Sequence, residues 1–381
     1  MTLANSARGT NDIFWSVLAR GRLMRDAAAA PNMGDPLAML GDVSLLPKVE
    51  LHVHLEATPR RSTLKRLADQ SGMKLPPELD PESGRPPGFD SLDHFLKALS
   101  AINALFDSPD VYALLAYEFI ENLAKQNVIY AEIRFSPSRP VLDRGMDLGG
   151  LIARIHEAKA RAERDFGISV GLILCLSRVR GDDVCRDLVH RAVEASDGRL
   201  TGFDIADDET RYPAHLFRST YQAIADAGFP ATAHAGETRG PSSVWEAIEL
   251  PAVRRVGHGL TAHKDPKLVR HLRETGVHLE LCPTSNVRTS QIPSLKQHPL
   301  RRYVDAGLSV SVNSDDPIAF GTSITTEYGL LTSAFGLSLD EIESLTVNAL
   351  RAAFAPNDLK AALESKIEAG YAAARAAFAG G

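Results

Sequence analysis

The chain is organised around Leu51-His52-Val53-His54-Leu55-Glu56, where two imidazoles stand two residues apart in a run that is otherwise apolar up to its closing acid. As a buried strand, the run sends alternate side chains to opposite faces, so His52 and His54 point the same way. An unpaired polar group in a core costs ~2–7 kcal/mol, so a buried pair calls for a partner, and one metal ion can serve both. Two hydrogen-bonded core histidines, or two surface residues on an edge strand, answer the same spacing, and an isolated His-x-His does not choose among them. The rest of the chain has to decide.

Working outward, β-rich runs recur at 128–135, 168–176, 200–205, 230–234, 254–258, 277–282 and 308–313, with helix-compatible sequence between them. With the strand at 49–54 they make eight, each followed by helical sequence. That beat predicts an α/β fold, a parallel (β/α)8 TIM barrel. Helical patterns over 59–125 form an insertion after the first strand. The clearest runs from 91 to 105, where Leu92, Phe95, Leu96 and Leu99 make one apolar stripe, and Gly84-Arg85-Pro86-Pro87-Gly88 marks a loop before it. Residues 1–47 read as an N-terminal extension and 48–381 as the barrel domain with its C-terminal helices. The extension holds an alanine run, Ala27 to Ala30, and a weak apolar face of Leu18, Leu23, Met24 and Ala28, which either packs on the domain or mediates assembly.

Composition narrows the partners. In 381 residues, 44% hydrophobic and 24% charged, there is room for a large core and a deep site. A net charge of -6 with no basic block excludes a nucleic acid polymer as partner. No apolar run reaches the ~18 residues of a membrane helix, and Cys175, Cys185 and Cys282 are too few and too irregular for a disulfide framework. The expectation is a cytoplasmic enzyme with a small-molecule substrate.

A barrel of this kind carries its chemistry at the carboxyl ends of the strands. His52 and His54 close the first strand, Asp207-Asp208-Glu209 follow the fourth, and His234 and Glu237 sit at the fifth. His258 ends the sixth and Asp315-Asp316 the eighth. Three histidines and a carboxylate from separate strands, with an open position, match a catalytic zinc, so His52, His54, His234 and Asp315 are assigned as its ligands. Water bound there drops to a pKa of about 7, which points to metal-assisted hydrolysis. Glu237, three residues past a ligand, is placed to exchange a proton with substrate. His258 either orients or deprotonates the attacking water, and Asp316 accepts a hydrogen bond from substrate. Taken singly, each is equally a capping acid or a satisfied histidine; five strand ends agreeing is the argument. The chain has no Cys-x-x-Cys of the cytidine deaminase type. Phe203-Asp204-Ile205-Ala206-Asp207 supplies no lysine to bridge two metals, so one zinc ion per chain is expected.

Five motifs in order, Lys48-Val-Glu-Leu-His-Val-His-Leu-Glu56, Thr232-Ala-His-Ala-Gly-Glu237, Arg255-Val-Gly-His-Gly259, Cys282-Pro-Thr-Ser-Asn286 and Ser314-Asp-Asp-Pro317, resemble the adenosine and adenine deaminases of the amidohydrolase superfamily. The resemblance spans about residues 45–355. It implies that Glu237 protonates purine N1, that His258 holds the water-derived hydroxyl and that Asp316 meets N7 as a 6-aminopurine becomes a 6-oxopurine. It also implies that Leu92, Phe95, Leu96 and Leu99 cover the substrate, where the stripe alone reads equally as core.

Two positions depart from the family. An acid and a glycine, often with aspartate as the acid, usually follow the second metal histidine, and here Glu56-Ala57 stand there, putting the ribose contact on a longer side chain. Where Ala-Gly-Asp-Glu is common, the chain has Ala206-Asp207-Asp208-Glu209. Asp207 either turns to solvent or points inward, where it selects a substrate with an extra donor or rejects an anionic one. Cys282-Pro-Thr-Ser-Asn-Val-Arg-Thr289 followed by His298-Pro299-Leu300 looks closer to the nucleoside branch. Adenosine or 2′-deoxyadenosine is therefore expected first and other adenine-bearing compounds, such as adenine or 6-amino-6-deoxyfutalosine, second. A non-catalytic purine-binding protein ranks last.

Overall fold

Both faces of β1 (Lys48–His54) are buried in the computed structural model, which describes residues 43–80, 82–83 and 88–379. Val49, Leu51 and Val53 face the helical layer, while Lys48, Glu50 and His52 alternate with them and are as fully enclosed. A strand buried on both sides belongs in a parallel sheet covered by helices. Seven more strands follow: β2 (Val128–Phe135), β3 (Ser169–Ser177), β4 (Gly202–Ala206), β5 (Ala231–Ala235), β6 (Val253–His258), β7 (His278–Leu281) and β8 (Val310–Val312). They pair in sequence order, every pair parallel, so the expected TIM barrel is present.

The excursion after β1 carries α1 (Arg61–Ser71), α2 (Leu92–Ile102) and α3 (Pro109–Lys125). Ser91 caps α2 by accepting the His94 amide at 3.1 Å. The crossover helices are α4 (Leu148–Phe166), α5 (Asp182–Ser196), α6 (Arg218–Asp226), α7 (Pro241–Ile248) and α8 (Pro266–Thr275). They are followed by the short α9 (Pro283–Arg288) and α10 (Leu300–Asp305). After β8 come α11 (Pro317–Phe320), α12 (Ile324–Ser333), α13 (Leu339–Ala352) and α14 (Asn357–Ala379). None of the described helices is long and apolar enough to cross a membrane. The apolar face expected over Leu18 to Ala28 lies outside the described residues, as does most of the 84–88 loop.

Closure of the ring is local. Between β8 and β1 the backbone bridge pairs Val53 with Asp315, the His54 N–H donating to the Asp315 carbonyl and the Asp315 N–H to the His52 carbonyl, each at 2.9 Å. The two ends of the barrel sequence are thus joined at the residues expected to share a metal.

The lumen is filled with charge where barrels of this class usually carry Val, Ile and Leu. Arg134 of β2 reaches across it to Asp204 of β4 (2.6 Å) and Glu280 of β7 (2.5 Å), and Arg255 of β6 binds Glu280 (2.6 Å) and Glu132 (2.5 Å). All five side chains are fully buried. Each charge has more than one partner, as buried ions require.

Candidate active site

Above this charged floor the strand ends converge. The Nε2 atoms of His52, His54 and His234 and the Oδ1 of Asp315 come together, one ligand atom from each lying within 4.8 Å of the others. His52 and His54 Nε2 each lie 3.4 Å from Asp315 Oδ1, and the Nε2 atoms of His54 and His234 are 3.3 Å apart. His52 Nε2 is buried and has no hydrogen-bond partner among the described residues. Three ring nitrogens and a carboxylate aimed at one point, one of them orphaned, fit a divalent cation of the zinc type. A second grouping of His52, His258, Cys282 and Asp315 is also close enough to bind. It would need the thiolate of Cys282, whose pKa burial pushes well above the usual range.

The first set also has the outer partners a metal site needs. His52 Nδ1 donates to Glu280 at 2.8 Å and His234 Nδ1 to Asp204 at 3.1 Å, which leaves both Nε2 lone pairs free toward the common point. Both carboxylates are held by Arg134, so the floor orients the ligands. Gly257 on β6 gives His52 its space: a Cβ there would lie 2.9 Å from the His52 ring. The sequence motifs give no site role to the five floor residues Arg134, Asp204, Glu280, Arg255 and Glu132, although Arg255 opens the Arg255-Val-Gly-His-Gly259 motif. Their signal is a charge at every second position inside strands of otherwise apolar sequence, as in Glu132 and Arg134 of Val-Ile-Tyr-Ala-Glu-Ile-Arg-Phe.

Beside the cluster, a cavity of about 260 Å³ opens toward α2. Glu56, Asp207, Glu237, His258 and Asp316 all reach its wall. Burial first, then the charge of Asp315, raises Glu237 to about 8, so it is a carboxylic acid at neutral pH. Burial and the same neighbour keep Asp316 protonated well above the ordinary carboxylate range, while Asp315, against burial, is held low by its close contact with the His52 imidazole. Asp316 Oδ1 finds no hydrogen-bond partner among the described residues. His258 Nε2 lies 3.7 Å from Glu237 and 3.9 Å from Asp315, and burial lowers its pKa well below the ordinary imidazole value. Burial raises Glu56 to about 7; it accepts the Ser136 N–H at 2.7 Å.

Three of the mouth residues are held in the left-handed region, Asp207 at φ 78°, His258 at 65° and Asp315 at 58°. Such a conformation costs ~1–3 kcal/mol in a residue with a side chain and aims each one off the strand into the mouth. Asp207 turns inward, accepting from the Ser177 hydroxyl on β3. On α2, Leu92, Phe95, Leu96 and Leu99 line the cavity, and Phe95 is also core, 4.8 Å from Phe320 and 5.2 Å from Phe89 by ring centroid. The stripe is therefore a wall whose second residue anchors it.

With this geometry, the match of residues 47–370 to the adenosine deaminase family profile is decisive. The chain belongs to the adenosine deaminase family. It is 35% identical over 315 residues to the adenosine deaminase of Edwardsiella ictaluri, covering 82% of this chain and 94% of that one. The adenine deaminase of Arthrobacter aurescens shares its fold with a TM-score of 0.79 at 29% identity, over 85% of this chain and 98% of that one. A zinc-bound amidohydrolase from Burkholderia ambifaria superposes with a TM-score of 0.81 at 26% identity, over 93% and 97%. Membership in this metal-dependent family makes the protein an aminohydrolase acting on adenine-type substrates.

Proposed function

We propose that the chain hydrolyses adenosine or 2′-deoxyadenosine to inosine or 2′-deoxyinosine and ammonia, with one zinc ion per chain held by His52, His54, His234 and Asp315. Bound there, zinc would supply Lewis acidity and a water acidified to about pKa 7. Glu237, protonated at neutral pH, donates its proton to purine N1 and so draws electrons from C6. His258 faces the attacking oxygen. Purine N7 is a hydrogen-bond acceptor, so the protonated Asp316 donates to it, the reverse of the acceptor role expected from sequence. A water oxygen adds to C6, one of its protons restores Glu237 and the other passes to the amino group, which leaves as ammonia, and a 6-oxopurine remains. Leu92, Phe95, Leu96 and Leu99 exclude water from the face of the ring.

The nucleoside reading rests on one observation: the cavity wall carries two carboxyl groups, Glu56 and Asp207, beyond those that the purine chemistry uses. Ribose hydroxyls would satisfy them, whereas a free base leaves them without a substrate partner and a phosphate meets their charge. Turnover of adenosine, 2′-deoxyadenosine, adenine, 6-amino-6-deoxyfutalosine and AMP, followed by ultraviolet absorbance, tests it. The highest kcat/KM should fall on a nucleoside, and a preference for adenine or AMP would overturn the assignment. Metal analysis of the same preparation should find one zinc per chain, lost in Asp315→Asn.

A further inference from the structure

The His298-Pro299-Leu300 segment lies outside the mechanism just described, yet it connects to it. The Leu300 N–H donates to His298 Nδ1 at 3.1 Å. Pro299 has no N–H, so Leu300 brings the first backbone donor after His298, and it is one of those left open at the start of α10. His298 Nε2 then meets Asn286 Oδ1 at 3.3 Å, and Asn286 Nδ2 meets His258 Nδ1 at 3.3 Å. His298 is 5% exposed, Asn286 fully buried and His258 1% exposed. We propose that His298 and Asn286 are positioning residues that lock His258 as the Nε2–H tautomer, making it a hydrogen-bond donor to the attacking oxygen rather than its base.

A backbone N–H only donates, so His298 Nδ1 accepts, and the neutral ring must then carry its proton on Nε2. Burial lowers the His298 pKa to about 3, which keeps the ring neutral. Its Nε2–H needs an acceptor, and this orients the Asn286 amide with oxygen toward His298 and nitrogen toward His258. Facing an NH2 group, His258 Nδ1 must accept, and the single ring proton sits on Nε2, which points at Glu237 and Asp315. The opposite tautomer would leave two buried donors facing each other. A ring already protonated on Nε2 cannot take a proton there from water. It can stabilise the negative charge that develops on oxygen.

This inference rests on the deaminase reading for its chemistry, but its first test does not. In the zinc-loaded wild-type enzyme labelled with 15N-histidine, with His258 assigned by comparison with His258→Gln, Nδ1 should show a pyridine-type shift and Nε2 a pyrrole-type shift. A pyrrole-type Nδ1 overturns the proposal. Asn286→Asp places an acceptor against Nδ1 and should exchange the two shifts. It should lower kcat about 100-fold, as loss of an oxyanion donor does, with KM and zinc content near wild type. His298→Leu should lower kcat roughly 10-fold, the scale for partners that orient active-site groups. His298→Gln, which keeps a donor toward Asn286, should recover much of that loss. Unchanged kcat in Asn286→Asp despite exchanged shifts would remove the catalytic half of the proposal. A pyridine-type Nδ1 in a protein inert toward every 6-aminopurine would uphold the tautomer and sink only the deaminase reading.

Discussion

The floor of the barrel and its mouth are both built from buried charged groups, and they treat them in opposite ways. On the floor, Arg134 and Arg255 each bind two carboxylates, and Glu280 is shared between them while also holding His52. Nothing there is left to react. A few ångströms above, His52 Nε2 and Asp316 Oδ1 have no hydrogen-bond partner among the described residues, and Glu237 meets His258 only at 3.7 Å. Paired buried charges fix geometry, while unpaired ones are raised in free energy until a ligand meets them. Substitutions in the two regions should therefore fail differently.

The largest effect belongs to the mouth. Glu237→Gln should lower kcat by about 10²–10⁴, the usual contribution of a general acid, while thermal midpoint and zinc content stay at wild type. In the wild-type enzyme, kcat/KM should fall as pH rises toward about 8 and the acid form of Glu237 is lost. A bound dication favours the carboxylate, so it moves this limb to lower pH, never higher. In the glutamine variant the limb should be absent from the pH profile. A variant that lost stability along with activity would break the contrast between the regions.

The floor should answer in stability first. Arg134→Met leaves Asp204 and Glu280 short of their shared cation, and breaking a buried ion pair on one side costs about 3–5 kcal/mol, readable as a lower denaturation midpoint. Because the same carboxylates hold His52 and His234, zinc affinity should fall roughly 10–100-fold in a competition titration. Full stability with weakened zinc binding would show that the floor serves the metal alone.

The same contrast explains what could be read from the chain. The mouth was legible because its residues sit at strand ends and the barrel rule maps each end to one place: His52, His54, His234 and Asp315 follow from that rule. The floor was not. Nothing in the position of Glu280 or Arg134 says that they meet, since β2 and β7 are 146 residues apart at this contact and only the closed lumen makes them neighbours. Side-chain direction was likewise hidden. Whether Asp207 turned inward depended on its left-handed backbone, and no periodicity reports a φ of 78°. Likewise, the α2 stripe could be called wall or core, and Phe95 is both because Phe89 and Phe320 close on it from other parts of the chain.

Asp207 is where the two regions' logic overlaps, since it is a mouth residue with a partner, and it should give the smallest effect. Asp207→Gly relieves a left-handed residue of ~1–3 kcal/mol of strain. It also gives up the Ser177 hydrogen bond, ~1 kcal/mol, and adds ~0.5–1 kcal/mol of chain entropy to the unfolded state. These terms offset, so the denaturation midpoint should move by no more than about 1 kcal/mol. Specificity should move more clearly. Removing a carboxyl from the cavity wall lifts a repulsion of ~1 kcal/mol from a substrate phosphate, so the ratio of kcat/KM for AMP to that for adenosine should rise about fivefold, and less at high salt. An unchanged ratio would mean that the carboxyl, tied to Ser177, is a strained structural group like those of the floor and takes no part in choosing the substrate.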